Sequence, residues 1–223
     1  MTDEAPCPLC GHERVAPYFR DKRRPYLQCL RCRLVFVSPA YRPSRAQERA
    51  EYDLHQNDVQ DPGYRRFLSR MVSPLRARLP VGARGLDFGC GPGPALAAML
   101  EEVGYSMALY DPYYRPEPDV FESGYDFICA TEVVEHMHHP GRELDRLWRL
   151  LAPGGVLGIM TKLVSDRTAF ASWHYKNDIT HVCFFSRDTW TWWADAYGAR
   201  VAFHGADVIL LDQPVSVASS MEP

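Results

Sequence analysis

Residues 86–94 read Leu-Asp-Phe-Gly-Cys-Gly-Pro-Gly-Pro, an acid followed by three glycines at alternate positions, set between an apolar pair and a small-residue helical run. A turn built on Gly89, Gly91 and Gly93 has no Cβ to block it, so a ligand can lie against bare backbone amides where the next helix begins. Asp87 can then fix a polar group above the turn. A dinucleotide fingerprint also opens with a glycine turn after a first strand. It lacks an acid two places before its first glycine, and its third glycine falls three after the second. Here the acid leads and the glycines alternate.

The rest of the chain supplies the sheet that such a turn needs. Short apolar runs alternate with amphipathic segments: strand 84–88, helix 94–103, strands 106–110 and 125–130, helix 140–151, strand 155–161, helix 187–197, and strands near 200–204 and 206–211. This order predicts an α/β fold, a Rossmann-like, doubly wound, mostly parallel sheet. The last two strands, split by Gly205, read as a C-terminal antiparallel hairpin. Ser44 and Asp61-Pro62-Gly63 start two further helices, 44–55 and 64–79, the second with an apolar stripe interrupted by Pro74. The expected division is a small module over 1–40, a helical lid or linker over 41–80 and the main domain over 81–223. With 46% apolar and 24% charged residues, no stretch long enough to span a membrane and no apolar leader near the front, the expectation is a cytoplasmic protein.

Four of the seven cysteines form two pairs, Cys7-Pro-Leu-Cys10 and Cys29-Leu-Arg-Cys32. Four thiolates on two tight knuckles suit tetrahedral zinc, and so small a module needs metal to fold; structural zinc is preferred to disulfides in a reducing compartment. Cys90, Cys129 and Cys183 read as core or loop fillers. Residues 1–50 carry ten Lys/Arg against five Asp/Glu, while the whole chain is at −3. That basic front can face an acidic substrate, a nucleic acid or the acidic body of the same protein.

Asp111 stands at the end of the expected second strand, where an acid can bind two vicinal ribose hydroxyls. Next come Tyr-Asp-Phe-Ile-Cys-Ala-Thr-Glu-Val-Val-Glu-His over 125–136 and Leu-Leu-Ala-Pro-Gly-Gly-Val-Leu-Gly-Ile-Met-Thr over 150–161. Together with residues 86–94 and Asp111, these segments resemble the successive motifs of class I S-adenosylmethionine-dependent methyltransferases. The cysteine-rich front is similar to the zinc ribbon of a subset of small bacterial members. The resemblance implies that Asp87, Gly89, Cys90, Gly91, Gly93, Asp111 and Pro112 hold S-adenosylmethionine. It places Thr131 and Glu132 near the adenosine or methionine portion and His136 near the transferable methyl. One departure is plain: the strand at 125 begins only fourteen positions after Asp111, too close for the helix and strand that many members insert there. The sheet edge should be shortened, with Tyr113 and Tyr114 as candidate replacements for the missing adenine contacts.

The segment Trp173-His-Tyr-Lys-Asn-Asp-Ile-Thr-His-Val-Cys-Phe-Phe-Ser186 is dense in polar groups. His181, with Asp178 as its orienter and His136 opposite, can remove a proton from an acceptor during in-line methyl transfer. The expected partner is a small-molecule methyl acceptor. An RNA acceptor gripped by the basic ribbon is the alternative, disfavoured by the overall acidity and by the absence of interleaved aromatic and basic residues on one strand. A non-catalytic S-adenosylmethionine-binding protein is a third reading. The oligomeric state is not fixed by the sequence.

Overall fold

A computed structural model describes residues 5–54 and 58–215. Its centre is a six-stranded sheet of β4 (Arg84–Phe88), β5 (Ser106–Tyr110), β6 (Tyr125–Thr131), β7 (Leu151–Met160), β9 (Arg200–His204) and β10 (Val208–Asp212), in the order β5-β4-β6-β7-β10-β9. β5, β4, β6 and β7 run parallel, and β10 lies antiparallel between β7 and β9. The fold class is therefore as expected, hairpin included. β5 forms one edge, and residues 111–124 carry only a short 3-10 turn, Pro118–Glu122, before β6 begins.

Local chemistry explains most of the helices. α1 (Arg45–Tyr52) starts from a capping box in which Ser44 and Gln47 satisfy each other's backbone amides. α2 (Pro62–Arg76) starts from Asp61, whose side chain accepts from the Tyr64 amide, with proline at the first position. It runs straight through Pro74 and stops at Arg76. α1 ends earlier than expected, with Asp53 as its C-cap and Leu54 in the turn that follows, while residue 55 lies outside the described residues. α3 (Ala95–Glu101) buries its alanines and leucines, and α4 (Pro140–Leu150) buries Leu144, Leu147 and Trp148. α6 (Arg187–Tyr197) opens on a Ser186–Thr189 capping box and closes on Gly198 in the left-handed region.

The two faces of the sheet have different covers. Leu68, Met71 and Leu75 of α2 pack with Leu96 and Leu100 of α3 on one face. The other face carries α4, α6 and, less expectedly, the cysteine-rich front. That front is a sheet of β1 (Val15–Arg20), β2 (Pro25–Cys29) and β3 (Val35–Val37), completed by β8 (Cys183–Phe184) from the far end of the chain. Tyr26, Val35, Phe36 and Val37 are fully buried in the same apolar cluster as Leu144 and Trp190. The apolar run Leu34-Val35-Phe36-Val37 reads as a strand from sequence and forms β3, whereas β1, β2, β8 and the short α5 (Arg167–Ser172) have no such signal. No helix among the described residues is long and apolar enough to cross a membrane.

Candidate functional site

A cavity of about 860 Å³ lies off the carboxyl ends of β4, β5 and β6, roofed by Glu48 and Tyr52 of α1 and by Tyr64 and Phe67 of α2. This is the crevice position expected of an open α/β sheet. At one end the chain leaves β4 through Gly89 and Gly91, both with φ in the left-handed region. A Cβ on Gly89 would stand 2.4 Å from Val133 Cγ2, so the position excludes any side chain. The amides of Gly89 and Cys90 donate to the Tyr110 carbonyl at 2.7 and 3.1 Å, which ties the turn to the end of β5.

Asp111 is the organiser of this end. Its carboxylate accepts from the amides of Gly91 (3.0 Å), Tyr113 (2.8 Å) and Tyr114 (3.1 Å), and it lines the cavity beside Pro112. Asp87 and Gly93 do not line it. Asp87 is buried beneath the turn, where desolvation pushes its carboxyl up to about 7, opposed by the Ala97 amide and reinforced by the Asp111 charge. Tyr113 and Tyr114 face α1: their hydroxyls donate to Glu48 (2.6 Å) and Asp53 (2.7 Å).

β6 ends on Thr131, and Glu132 follows with φ 53°, a conformation that costs a non-glycine residue about 1–3 kcal/mol. Thr131 Oγ1 and Glu132 Oε1 are buried at the cavity wall with no protein partner. Unmatched polar atoms and a turn that admits no Cβ fit a polar ligand lying along this wall. Buried behind this wall, the Tyr175 hydroxyl lies within hydrogen-bond reach of both Glu135 and Glu132 and has one proton to share between them. Burial pushes Glu135 up to about 8, with the Glu132 charge adding to it, and burial likewise raises Glu132 to about 7.

The other end of the cavity is aromatic and titratable. The rings of Tyr52, His136 and His181 follow one another at 5.3 and 4.6 Å. His181 Nδ1 lies 2.7 Å from the Tyr175 carbonyl, which can only accept, so Nδ1 carries the proton and Nε2 the lone pair. Asp178 Oδ2 stands 3.6 Å from that Nε2. The expectation that Asp178 orients His181 is thus modified: the Tyr175 carbonyl orients the ring, and Asp178 faces the basic nitrogen. Desolvation holds His181 below its usual range, against the Asp178 charge. Burial opposes ionisation of Asp178, but the hydroxyl and amide of Thr180, at 2.6 and 2.8 Å, with His181 beside them, hold it below the ordinary carboxylate value. Glu135, His136 and His181 also bring one ligand-type atom each to within 4.8 Å of one another.

Several contributors had no sequence signal. Tyr52 and Glu48 come from a helix read only as cover, and Glu48 also lies 2.7 Å from His138 Nε2. Cys90, Cys129 and Cys183 are buried, and burial pushes the Cys90 and Cys183 thiols up to about 12, far from the range of a nucleophile. Away from the cavity, the sulfurs of Cys7, Cys10, Cys29 and Cys32 all lie within 4.8 Å of one another, with Cys7–Cys32 at 3.5 Å and Cys10–Cys29 at 3.6 Å. A tetrahedron of zinc–sulfur bonds near 2.3 Å has edges of roughly 3.8 Å, so the set fits zinc.

A glycine turn, an acid after the second strand and a crevice over the parallel strand ends define a Rossmann-like, nucleotide-cofactor class of protein. Comparison with known sequences narrows this: the chain belongs to the methyltransferase domain family, whose pattern matches residues 54–202. It is 30% identical over 119 residues to a ubiquinone biosynthesis O-methyltransferase of Caulobacter sp. (strain K31). That match covers 42% of this chain and 47% of the relative, so the chain spans about half the length of the curated relative. Among solved structures, it is similar to the Burkholderia thailandensis 1,6-didemethyltoxoflavin-N1-methyltransferase with bound 1,6-didemethyltoxoflavin and S-adenosylhomocysteine. The TM-score is 0.50 at 15% identity, covering 89% of this chain and 99% of that one. At that identity the likeness establishes the shared fold.

Proposed function

We propose that the chain transfers a methyl group from S-adenosylmethionine to a small-molecule acceptor bound at the His136–His181 end of the cavity. The observation that carries this reading is continuity: the glycine turn and Asp111 open into the same cavity as His136, Asp178 and His181. S-adenosylmethionine supplies an electrophilic methyl on a sulfonium. Gly89, Cys90 and Gly91 offer it a side-chain-free backbone, Asp111 and Pro112 the ribose end, and Thr131 Oγ1 and Glu132 Oε1 unmatched acceptors along its length. Asp87 and Gly93 support the turn from behind.

With the cofactor bound, its methyl would be open to in-line attack by the acceptor's lone pair, the sulfur keeping the electrons of the S–C bond, and His181 Nε2 is the group placed to take the acceptor's proton. His181 is neutral at pH 7 because it is buried, and the Asp178 carboxylate stabilises the imidazolium once the proton arrives. Tyr52 and His136 wall the pocket, while α1 and α2 shield it from water. A zinc-bound ribbon is the structural partner of this site. A nucleic-acid acceptor gains little support, since Arg23, Arg24 and Arg42 of the basic front spend hydrogen bonds on the protein's own carbonyls.

Calorimetric titration with S-adenosylmethionine and S-adenosylhomocysteine, with NAD as control, tests the cofactor. Micromolar binding of the first two alone is expected, and binding of NAD instead would overturn the reading. A screen of phenols and amines for S-adenosylhomocysteine release then tests the acceptor. Against an acceptor so found, H181A should lose at least 100-fold in turnover while keeping its cofactor affinity within threefold.

A further inference from the structure

Arg24 occupies the turn between β1 and β2, in the ribbon, yet only 4% of its surface is exposed. Its backbone is fixed by Asp21, whose carboxylate accepts from the amides of Arg23 (2.8 Å) and Arg24 (2.9 Å) and from the Tyr26 hydroxyl (2.8 Å). From that anchor the guanidinium enters the loop that follows the Glu135-bonded Tyr175. Nη1 donates to the Ile179 carbonyl at 2.8 Å. Nη2 shares its two protons among the carbonyls of Lys176 (3.1 Å), Asp178 (2.9 Å) and His181 (2.9 Å), and Nε donates to the Tyr26 hydroxyl at 3.2 Å. Four carbonyls from a six-residue stretch converge on one planar cation.

A buried cation is tolerated only where dipoles replace its water, and buried carbonyls only where donors reach them. Each requirement here is met by the other. The loop backbone is wound about the guanidinium, so Arg24 fixes the positions from which Asp178 and His181 project. Exposed Arg23 adds two bonds to Asn177 at the outer edge of the same loop. The neighbouring strand pair, β3 with β8, starts two residues beyond His181, with the Val37 amide donating to Val182 at 2.9 Å.

We propose that Arg24 is a positioning residue for the proton-accepting half of the site, making the ribbon a structural part of the acceptor pocket. A lysine cannot substitute, because one ammonium with three donors cannot span a planar fan of carbonyls. The proposal rests on the reading of Asp178 and His181 as acceptor-handling groups, but its test does not require the acceptor.

The experiment compares the full-length zinc-loaded protein with R24A and R24K by three measurements. These are S-adenosylhomocysteine affinity by calorimetry, the histidine titrations by NMR with labelled imidazoles, and amide exchange over 174–182. Both variants should bind S-adenosylhomocysteine within threefold of the parent. Exchange over 176–181 should accelerate at least 30-fold, and the His181 titration should move up toward the ordinary 6.5 of a solvated ring. Unchanged exchange and titration with affinity intact would overturn the proposal. So would loss of cofactor binding in both variants, which would make Arg24 a prop of the whole fold. Failure of the acceptor reading shows elsewhere: H181A would then keep full turnover while R24A still released the loop.

Discussion

The glycine-turn end of the cavity draws on three strand ends lying within residues 88–133, each followed by its own short loop. The histidine end needs Tyr52 from the roof, residues 135–138 from the loop after β6, residues 175–181 from the second half of the chain and, behind them, Arg24 of the ribbon. The first end is local: each strand that forms delivers its part. The second exists only when segments more than 150 residues apart have docked, which makes it the end more easily lost.

The strongest way to break this contrast is to disrupt the four-cysteine set. A C7S/C32S double variant, or chelation, should cost residues 5–37 much of their order, because the zinc that this set fits would hold the two knuckles together while β2 and β3 rest on the shared apolar cluster. Circular dichroism and amide exchange should show that loss, and His181 should lose its protection with it. Next in size is D111A, aimed at the local end. It frees three amides and the expected ribose contact, and should cost about 100-fold in S-adenosylmethionine affinity by calorimetry, roughly 3 kcal/mol, while leaving exchange over 176–181 unchanged.

A finer probe is Gly141 at the start of α4, where an added Cβ would stand 2.2 Å from the Leu9 carbonyl oxygen in the first cysteine knuckle. Both sides are backbone and neither can yield cheaply. G141A should lower stability by about 1–3 kcal/mol in a denaturant melt, with cofactor affinity retained. The last probe is one of pH. Glu132 and Glu135 have carboxyls raised from 4.5 to about 7 and 8 by burial. The folded state therefore holds protons that the unfolded state has lost between those values. The stability they confer is complete below about 4.5 and declines as pH rises through 7 to 8. E135Q should flatten that decline in melting temperatures measured from pH 5 to 8.5.

How much of this was legible follows the same division. The sheet, its hairpin, both helix starts at Ser44 and Asp61, the cysteine set and the glycine turn are each announced by residues within a few positions of one another. The shortened edge was legible from the thirteen residues between Asp111 and Tyr125. By contrast, nothing near Arg24 in the sequence signals the loop at 176–181. Nor does the Asp178–His181 spacing reveal that the Tyr175 carbonyl sets the imidazole tautomer. β8 was missed because it is two residues long, and β1 and β2 because a proline and a polar residue break up the apolar run of each. The split also explains Tyr113 and Tyr114. Their position beside Asp111 was clear and both line the cavity, but the hydroxyl bonds that tie them to α1 rest on Glu48 and Asp53, more than sixty residues earlier.

The pairing of β3 with β8 has a consequence for synthesis. Val35-Phe36-Val37 is an apolar strand whose partner, Cys183–Phe184, is made almost 150 residues later. At about 5–20 residues per second, that edge waits on the order of ten seconds without its mate, with main-chain groups open to any other strand in reach. Growing chains of this protein pass through a window in which the ribbon can be complete and still adhesive, and it closes only when residue 184 has emerged.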